Sequence, residues 1–205
     1  MSLVIVLLLL VIVSMLGVAS MQISMMGERG ARNDRDMQLA WQGAEAALVD
    51  AEVDLMGPNS AGSSRTAAVL AGPMVPDSGC STTGTWRGMC NASTAGSTKP
   101  TWLTVDFTSA SSAAIPLGTF TGRLYPHAGA ADGQGVQPAF DPRYVVEDVS
   151  SADASNLGGG MVTANYTSAA MAGTKASAGR LYRVTAMGFG PRSDIQAVVQ
   201  AIYRN

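Results

Sequence analysis

The sequence predicts an α+β protein: one long N-terminal helix, residues 1 to about 56, carrying an antiparallel β-sheet head with long loops. Three observations predict it. Residues 1–27 contain no charged side chain. Residues 28–56 repeat apolar side chains at helical spacing. Two late runs, 179–187 and 195–203, alternate apolar and polar residues on either side of a connection that contains Gly and Pro.

The first element is the run MSLVIVLLLLVIVSMLGVASMQISMMG. As a helix it reaches roughly 40 Å at about 1.5 Å per residue, enough to span a bilayer. A cleavable signal peptide would have a basic start and a shorter apolar core. A plain bitopic anchor fits the length but would carry flanking positive charge. The third reading is a chain whose leader has been removed, so that the mature terminus begins inside the apolar run. Being apolar all round, this segment needs lipid or other apolar helices as its surroundings. Leu3, Val4, Ile5, Leu8, Val11, Ile12, Met15 and Leu16 are the expected packing residues. The methionines at 15, 21, 25 and 26 read as adaptable packing and not as a metal site.

The second element begins at Glu28. Met37, Ala40, Trp41, Ala44, Ala47, Leu48, Ala51 and Leu55 form a stripe at i, i+3, i+4 and i+7, the mark of an amphipathic helix. Met37, Ala40, Trp41, Ala44, Leu48 and Ala51 are expected to pack this half on the head. Glu45, Asp50, Glu52 and Asp54 mostly lie off the stripe and read as a solvated face. No proline occurs before Pro58, so 1–27 and 28–56 are expected to form one rod. Gly17, Gly27 and Gly30 are its soft points, each about 1 kcal/mol worse than Ala in a helix interior.

The head, residues 57–205, opens at Pro58-Asn59-Ser60. Strands are expected near 102–107, 143–149, 179–187 and 195–203, with Gly188–Asp194 as a hairpin connection. The segment 150–178 has little periodicity and reads as a long surface excursion.

Composition narrows function. The chain has 205 residues, a net charge of −2 and 14% charged residues, which gives no electrostatic footprint for a nucleic-acid partner. Cys80 and Cys90 are the only cysteines. They suit a small disulfide-closed loop in an oxidising compartment. A metal or redox pair is the alternative, although CxxC and a second pair of ligands are absent.

Catalytic and ligand readings are weak. Asn156–Gly160 is Gly-rich but lacks the GK[ST] of a phosphate loop, so a flexible turn is the default. His127 is the only histidine and sits in a turn context, which favours an exposed side chain over a catalytic base. Asp132–Gly135 has one acidic ligand and no EF-hand pattern. Neither a catalytic residue, a metal site nor a cofactor is expected.

Residues 2–56 resemble the N-terminal domain of PilX-type minor pilins of type IV pili. The resemblance rests on SLVIVLLLLVIVSMLGVASMQ, then Glu28-Arg29, Asn33-x-Arg35-Asp36, and Leu39-Ala40-Trp41-Gln42-x-Ala44-Glu45-Ala46-Ala47-Leu48-x-x-Ala51-Glu52. Later pieces are similar too: Gly88-Met89-Cys90, Pro142–Glu147, and the pair Leu181–Ala186 and Ala201–Arg204. The resemblance implies a type IV pilin-like fold and a non-enzymatic filament subunit acting in pilus assembly, surface attachment and twitching motility. It implies Met1 as the site of N-terminal processing and methylation. Its implied partners are copies of the chain or other pilins through the N-terminal helix, the prepilin peptidase, the assembly machinery, and a tip adhesin. Its implied location is the inner membrane before assembly and the extracellular pilus afterwards. Glu28, Arg29, Arg32, Arg35, Glu45 and Glu52 are candidate inter-subunit charges. Most pilins carry Glu at the fifth mature position, where this chain has Ile5, as PilX-type subunits often do. The alternatives are a major pilin, a type II secretion pseudopilin, or, in a different class, a membrane-anchored periplasmic binding or enzymatic domain.

Overall fold

A computed structural model describes residues 2–57, 65–71, 79–91, 100–125, 136–149 and 181–204. The expectations for Met1, His127, Asp132–Gly135, Asn156–Gly160 and the 150–178 excursion lie outside these residues. Helix α1 runs unbroken over Ser2–Met56, through Gly17, Gly27 and Gly30. It stops where Gly57 turns left-handed (φ 76°), with its N–H still bonded to Val53 O at 2.8 Å. Helix α2, Thr66–Ala71, follows.

The head is a mixed five-stranded sheet and not the antiparallel four-stranded one expected. Its strands are β1 (Met89–Asn91), β2 (Ile115–Pro116), β3 (Arg143–Asp148), β4 (Leu181–Phe189) and β5 (Gln196–Arg204). The order is β1-β3-β4-β5, with β2 also paired to β3. β3, β4 and β5 are antiparallel neighbours; Tyr144 faces Ala186, and Ala186 faces Val199. β1 runs parallel to β3 with Met89 opposite Val146, and β2 runs antiparallel with Ile115 opposite Tyr144. The β4–β5 turn is tighter than expected: β4 continues to Phe189, and Gly190 N–H bonds Ile195 O at 2.8 Å.

Residues 102–107 are not a strand. Thr101–Thr104 form a 3-10 turn, opened by Pro100 and closed by Thr104 Oγ1 donating to Thr101 O at 2.6 Å. The β3 edge that a strand there would need is taken by β1 and β2. Trp102 and Val105, spaced i, i+3, pack instead on the outer face of the sheet.

Two of the three apolar cores follow from the strand alternation, the third being Ala40 and Ala44 of α1 against Ile195 and Ala197. One lies between α1 and the sheet: Ala47, Ala51 and Leu55 against Tyr144, Val146, Tyr182, Val184 and Ala186. The other lies outside, where Phe107 and Ala114 cover Cys90, Val145 and Phe189. Arg87 holds that covering segment, Nη2 donating to the carbonyls of Ala110, Ser112 and Ala114 at 2.9–3.0 Å. The Cys80–Cys90 disulfide is formed, and Cys90 is fully buried.

Candidate functional site

The functional surface is α1, which has three zones. In the first, Leu3 to Met26, every large apolar side chain is exposed, from 44% at Val11 to 76% at Leu3. Leu3, Val4, Ile5, Leu8, Val11, Ile12, Met15 and Leu16 are all on this bare rod. The helix is long and apolar enough to cross a membrane. An apolar surface of this size does not stay bare in water; it marks a membrane or protein contact. Two of the rod's hydroxyls are satisfied within the helix: Ser14 and Ser20 donate to Leu10 O and Leu16 O at 2.7 and 2.9 Å.

The second zone is a charged collar, Glu28–Asp36. Glu28 and Arg32 pair at 2.5 Å one turn apart, and Arg35 reaches Asp36 at 3.2 Å. The first pair is solvated and worth about 0.3–0.5 kcal/mol; in the second, Arg35 is exposed and the Asp36 side chain is largely covered. Arg29 is exposed and has no ion partner among the described residues.

In the third zone α1 meets the head. Ala40, Gly43, Ala44, Ala47, Asp50, Ala51, Asp54 and Leu55 are its buried side chains. The face is made of small residues, so backbones touch: a Cβ on Gly188 of β4 would lie 2.0 Å from Ala40 O and 2.3 Å from Ala44 N. The first head contacts occur at Asp36, whose carbonyl lies 3.0 Å from where a Gly190 Cβ would stand. Residues 2–35 therefore project from the head, roughly 50 Å of helix.

Two family models match the chain: PilX N-terminal over residues 1–49, and type IV pilus assembly protein PilX C-term over residues 77–205. The chain belongs to the PilX family of type IV pilus assembly proteins. That family is one of structural minor pilins. Comparison with curated proteins and with solved structures returned no match.

For a PilX-family chain, the expected helix–head residues divide. Ala40, Ala44 and Ala51 are fully buried against the sheet and Leu48 is half-buried beside it. Met37 and Trp41 are not packing residues: they are 45% and 49% exposed. At about 100° per residue Trp41 falls well off the line of Ala40, Ala44 and Ala47. Its Nε1–H donates to Glu45 at 2.7 Å on the solvent side. Glu45 and Glu52 are exposed, as a solvated face requires.

Asp50 and Asp54, expected on that same face, are instead fully buried. Both point at the head and organise it. Asp54 is gripped by Arg65, whose Nε lies 2.8 Å from each carboxylate oxygen and whose Nη2 bonds Oδ2 as well. Tyr144 Oη donates to the same carboxylate at 2.8 Å. Arg65 also donates to Thr85 O and Arg87 O at 3.1 and 2.8 Å and stacks 4.1 Å over the Phe120 ring. This one guanidinium ties α1, the turn before β1 and the loop after β2. Burial, and then the Asp54 charge, push the Tyr144 phenol well above its ordinary range. Asp50 accepts from Gly118 N–H at 2.8 Å and from the Thr121 hydroxyl. Burial still raises its carboxyl above the usual carboxylate range, outweighing those two bonds.

The signal for these acids was available. Asp50 and Asp54 sit at i+3 from Ala47 and Ala51, inside the small-residue stripe. Helical position alone places them inward; chemical type suggested the opposite. Their partners, Arg65, Gly118, Thr121 and Tyr144, are 11 to 90 residues away and carry no sequence mark.

Proposed function

We propose that this chain is a filament subunit that waits in the inner membrane by residues 2–27 and then buries the same rod among other pilins in a type IV pilus. In this role it contributes to assembly, surface attachment and twitching motility. The observation that carries the reading is a helix of Ser2–Met56 whose inner half is fixed to a head while its outer half is apolar on every side. Lipid and a bundle of apolar helices satisfy that surface equally, so transfer between them leaves the rod unchanged. Apolar packing along the rod is the main cohesive force in this reading. The head stays outside the cytoplasm, where Cys80–Cys90 is oxidised.

Val11→Asp tests this. A carboxylate near the middle of a spanning helix costs about 2.5–3.5 kcal/mol. The variant should be lost from the membrane fraction and from filaments while its head keeps the disulfide and its unfolding transition. A variant that partitions and assembles like the parent chain would refute the role given to the rod.

A further inference from the structure

The head leaves one long sheet edge open. β5 pairs with β4 residue for residue over all 9 positions, without a bulge. Its sequence, QAVVQAIYR, holds no Pro, Gly or Lys, and its one charge is Arg204 at the end. Natural edges are blunted by charges, Pro, bulges or shortness; β5 has none of these before Arg204. Alternation gives its bonding side. Leu181 O accepts from Val149 N–H, so odd-numbered residues of β4 bond towards β3 and even-numbered ones towards β5. Through the register, Ala197, Val199, Ala201 and Tyr203 bond β4. The N–H and C=O groups of Gln196, Val198, Gln200 and Ile202 therefore point away from the sheet, and no strand among the described residues takes them. All four residues are exposed. On the outer face of the sheet, Val198 and Ile202 add apolar surface beside this edge, 38% and 51% exposed.

The other face of the sheet lies under α1. At about 100° per residue, Trp41, Glu45, Leu48 and Glu52 share one arc of roughly 60°, on the flank away from Asp50 and Asp54. That flank is on the β5 side. Leu48 and Tyr203 pack on the same core, and burial, then the Glu52 charge, hold the Tyr203 phenol above its ordinary range. Neither Glu45 nor Glu52 has an ion partner among the described residues. We propose that β5 is a docking edge on which an extended segment of a different pilus protein adds one more strand, apolar on the side of Val198 and Ile202 and bearing Lys or Arg on the side of Glu45 and Glu52. Main-chain hydrogen bonds give such a contact its affinity, and alternate side chains give it specificity. It rests on the pilus reading above and adds the means by which this subunit holds a neighbour. A second copy of the chain does not fit. Two β5 edges pair antiparallel about a two-fold axis normal to the sheet, which reverses every direction lying along the sheet face. α1 lies along that face, so the two rods would point opposite ways and could not share one membrane or one filament core.

Photo-cross-linking tests the edge. The full chain carrying p-benzoylphenylalanine in place of Gln196, Gln200 or Ile202 is produced in a pilus-bearing host. Sheared filaments are irradiated, and the joined peptides are sequenced by mass spectrometry. The expected result is that all three labels reach one segment of one other pilus protein, at positions that advance in step along it. That segment alternates apolar residues with positions that include Lys or Arg. Two edge variants then separate docking from folding. Val198→Pro removes an outward N–H and no bond to β4, a place where a strand tolerates proline. The head keeps its disulfide and its unfolding transition, while the cross-link from Gln200 falls about 5-fold or more, the worth of one lost hydrogen bond. Val198→Lys blunts the edge with the backbone intact and gives a similar loss, which covers the case of a proline that disturbs the head. Glu52→Lys lowers the cross-link about 1.5- to 5-fold, the range of an exposed ion pair. Cross-links that survive both Val198 variants, labels that scatter over unrelated segments, or a product made of two copies of this chain would overturn the docking edge. A chain that reaches filaments but gives no cross-link from β5 overturns the edge alone. A chain missing from filaments overturns the pilus reading with it.

Discussion

Arg65→Met should strongly destabilise the head. The guanidinium is fully buried, and its removal strands several groups at once. The Asp54 carboxylate keeps the Tyr144 hydroxyl but loses its bidentate cation. The carbonyls of Thr85 and Arg87 lose their donor. Breaking one side of a buried pair costs about 3–5 kcal/mol because an uncompensated charge remains. For a chain of this size that corresponds to a fall of about 6–20 °C in Tm. The charge is the decisive part, so Asp54→Asn together with Arg65→Met should be more stable than Arg65→Met alone. The pair should show a coupling of about 1–3 kcal/mol in a double-mutant cycle. The assay is thermal and denaturant unfolding of the full-length chain in detergent, followed by near-UV circular dichroism of the head. A loss below about 1 kcal/mol for Arg65→Met, or a double variant that merely adds the two single effects, would refute the argument.

Three further outcomes are expected. Gly188→Ala should cost about 3 kcal/mol or more, at the upper end of overpacking, because its methyl would collide with backbone at Ala40 and Ala44. Gly43→Ala, whose nearest neighbour is a Pro142 ring carbon at 3.1 Å, should cost less by the same unfolding assay. Replacing Cys80 and Cys90 together by Ser should lower stability by about 2–3 kcal/mol, and mild reduction of the parent chain should reproduce that loss. The raised Asp50 carboxyl predicts a pH dependence. Between its ordinary value of 3.8 and its raised value, the native chain holds a proton that the unfolded chain has released. Stability at this site therefore falls as pH rises through that window. Asp50→Asn should flatten the slope, and an unchanged slope would contradict the assignment.

The rod was legible because its signals are local. An uncharged run, a 3.6-residue stripe and a first proline at Pro58 fixed α1 to within two residues of Ser2–Met56. Strands β3, β4 and β5 were legible from alternation and moved by only one or two residues. The head's remaining edge was not. β1 and β2 span two or three residues, too short for any period, and their place is set by pairing with β3 from more than 25 residues away. The run Trp102–Phe107 alternates like a strand. It lost to Pro100 and to the scarcity of free sheet edge, and its apolar residues found the same core by 3-10 spacing. Trp41 and Asp54 were misplaced for one shared reason. The face of α1 against the head is built of small residues, which turns a bulky indole outward and admits an acid that has a partner.

The central claim is that α1 joins this chain to other pilins in a filament as a minor subunit. Quantitative mass spectrometry of sheared, washed pili tests it most directly. The account predicts peptides from both the Glu28–Asp36 collar and the β4–β5 head, at a small fraction of the abundance of the main subunit, and their loss when residues 2–27 are deleted. Pili that contain no trace of the chain, or that still contain it after the rod is removed, would contradict it.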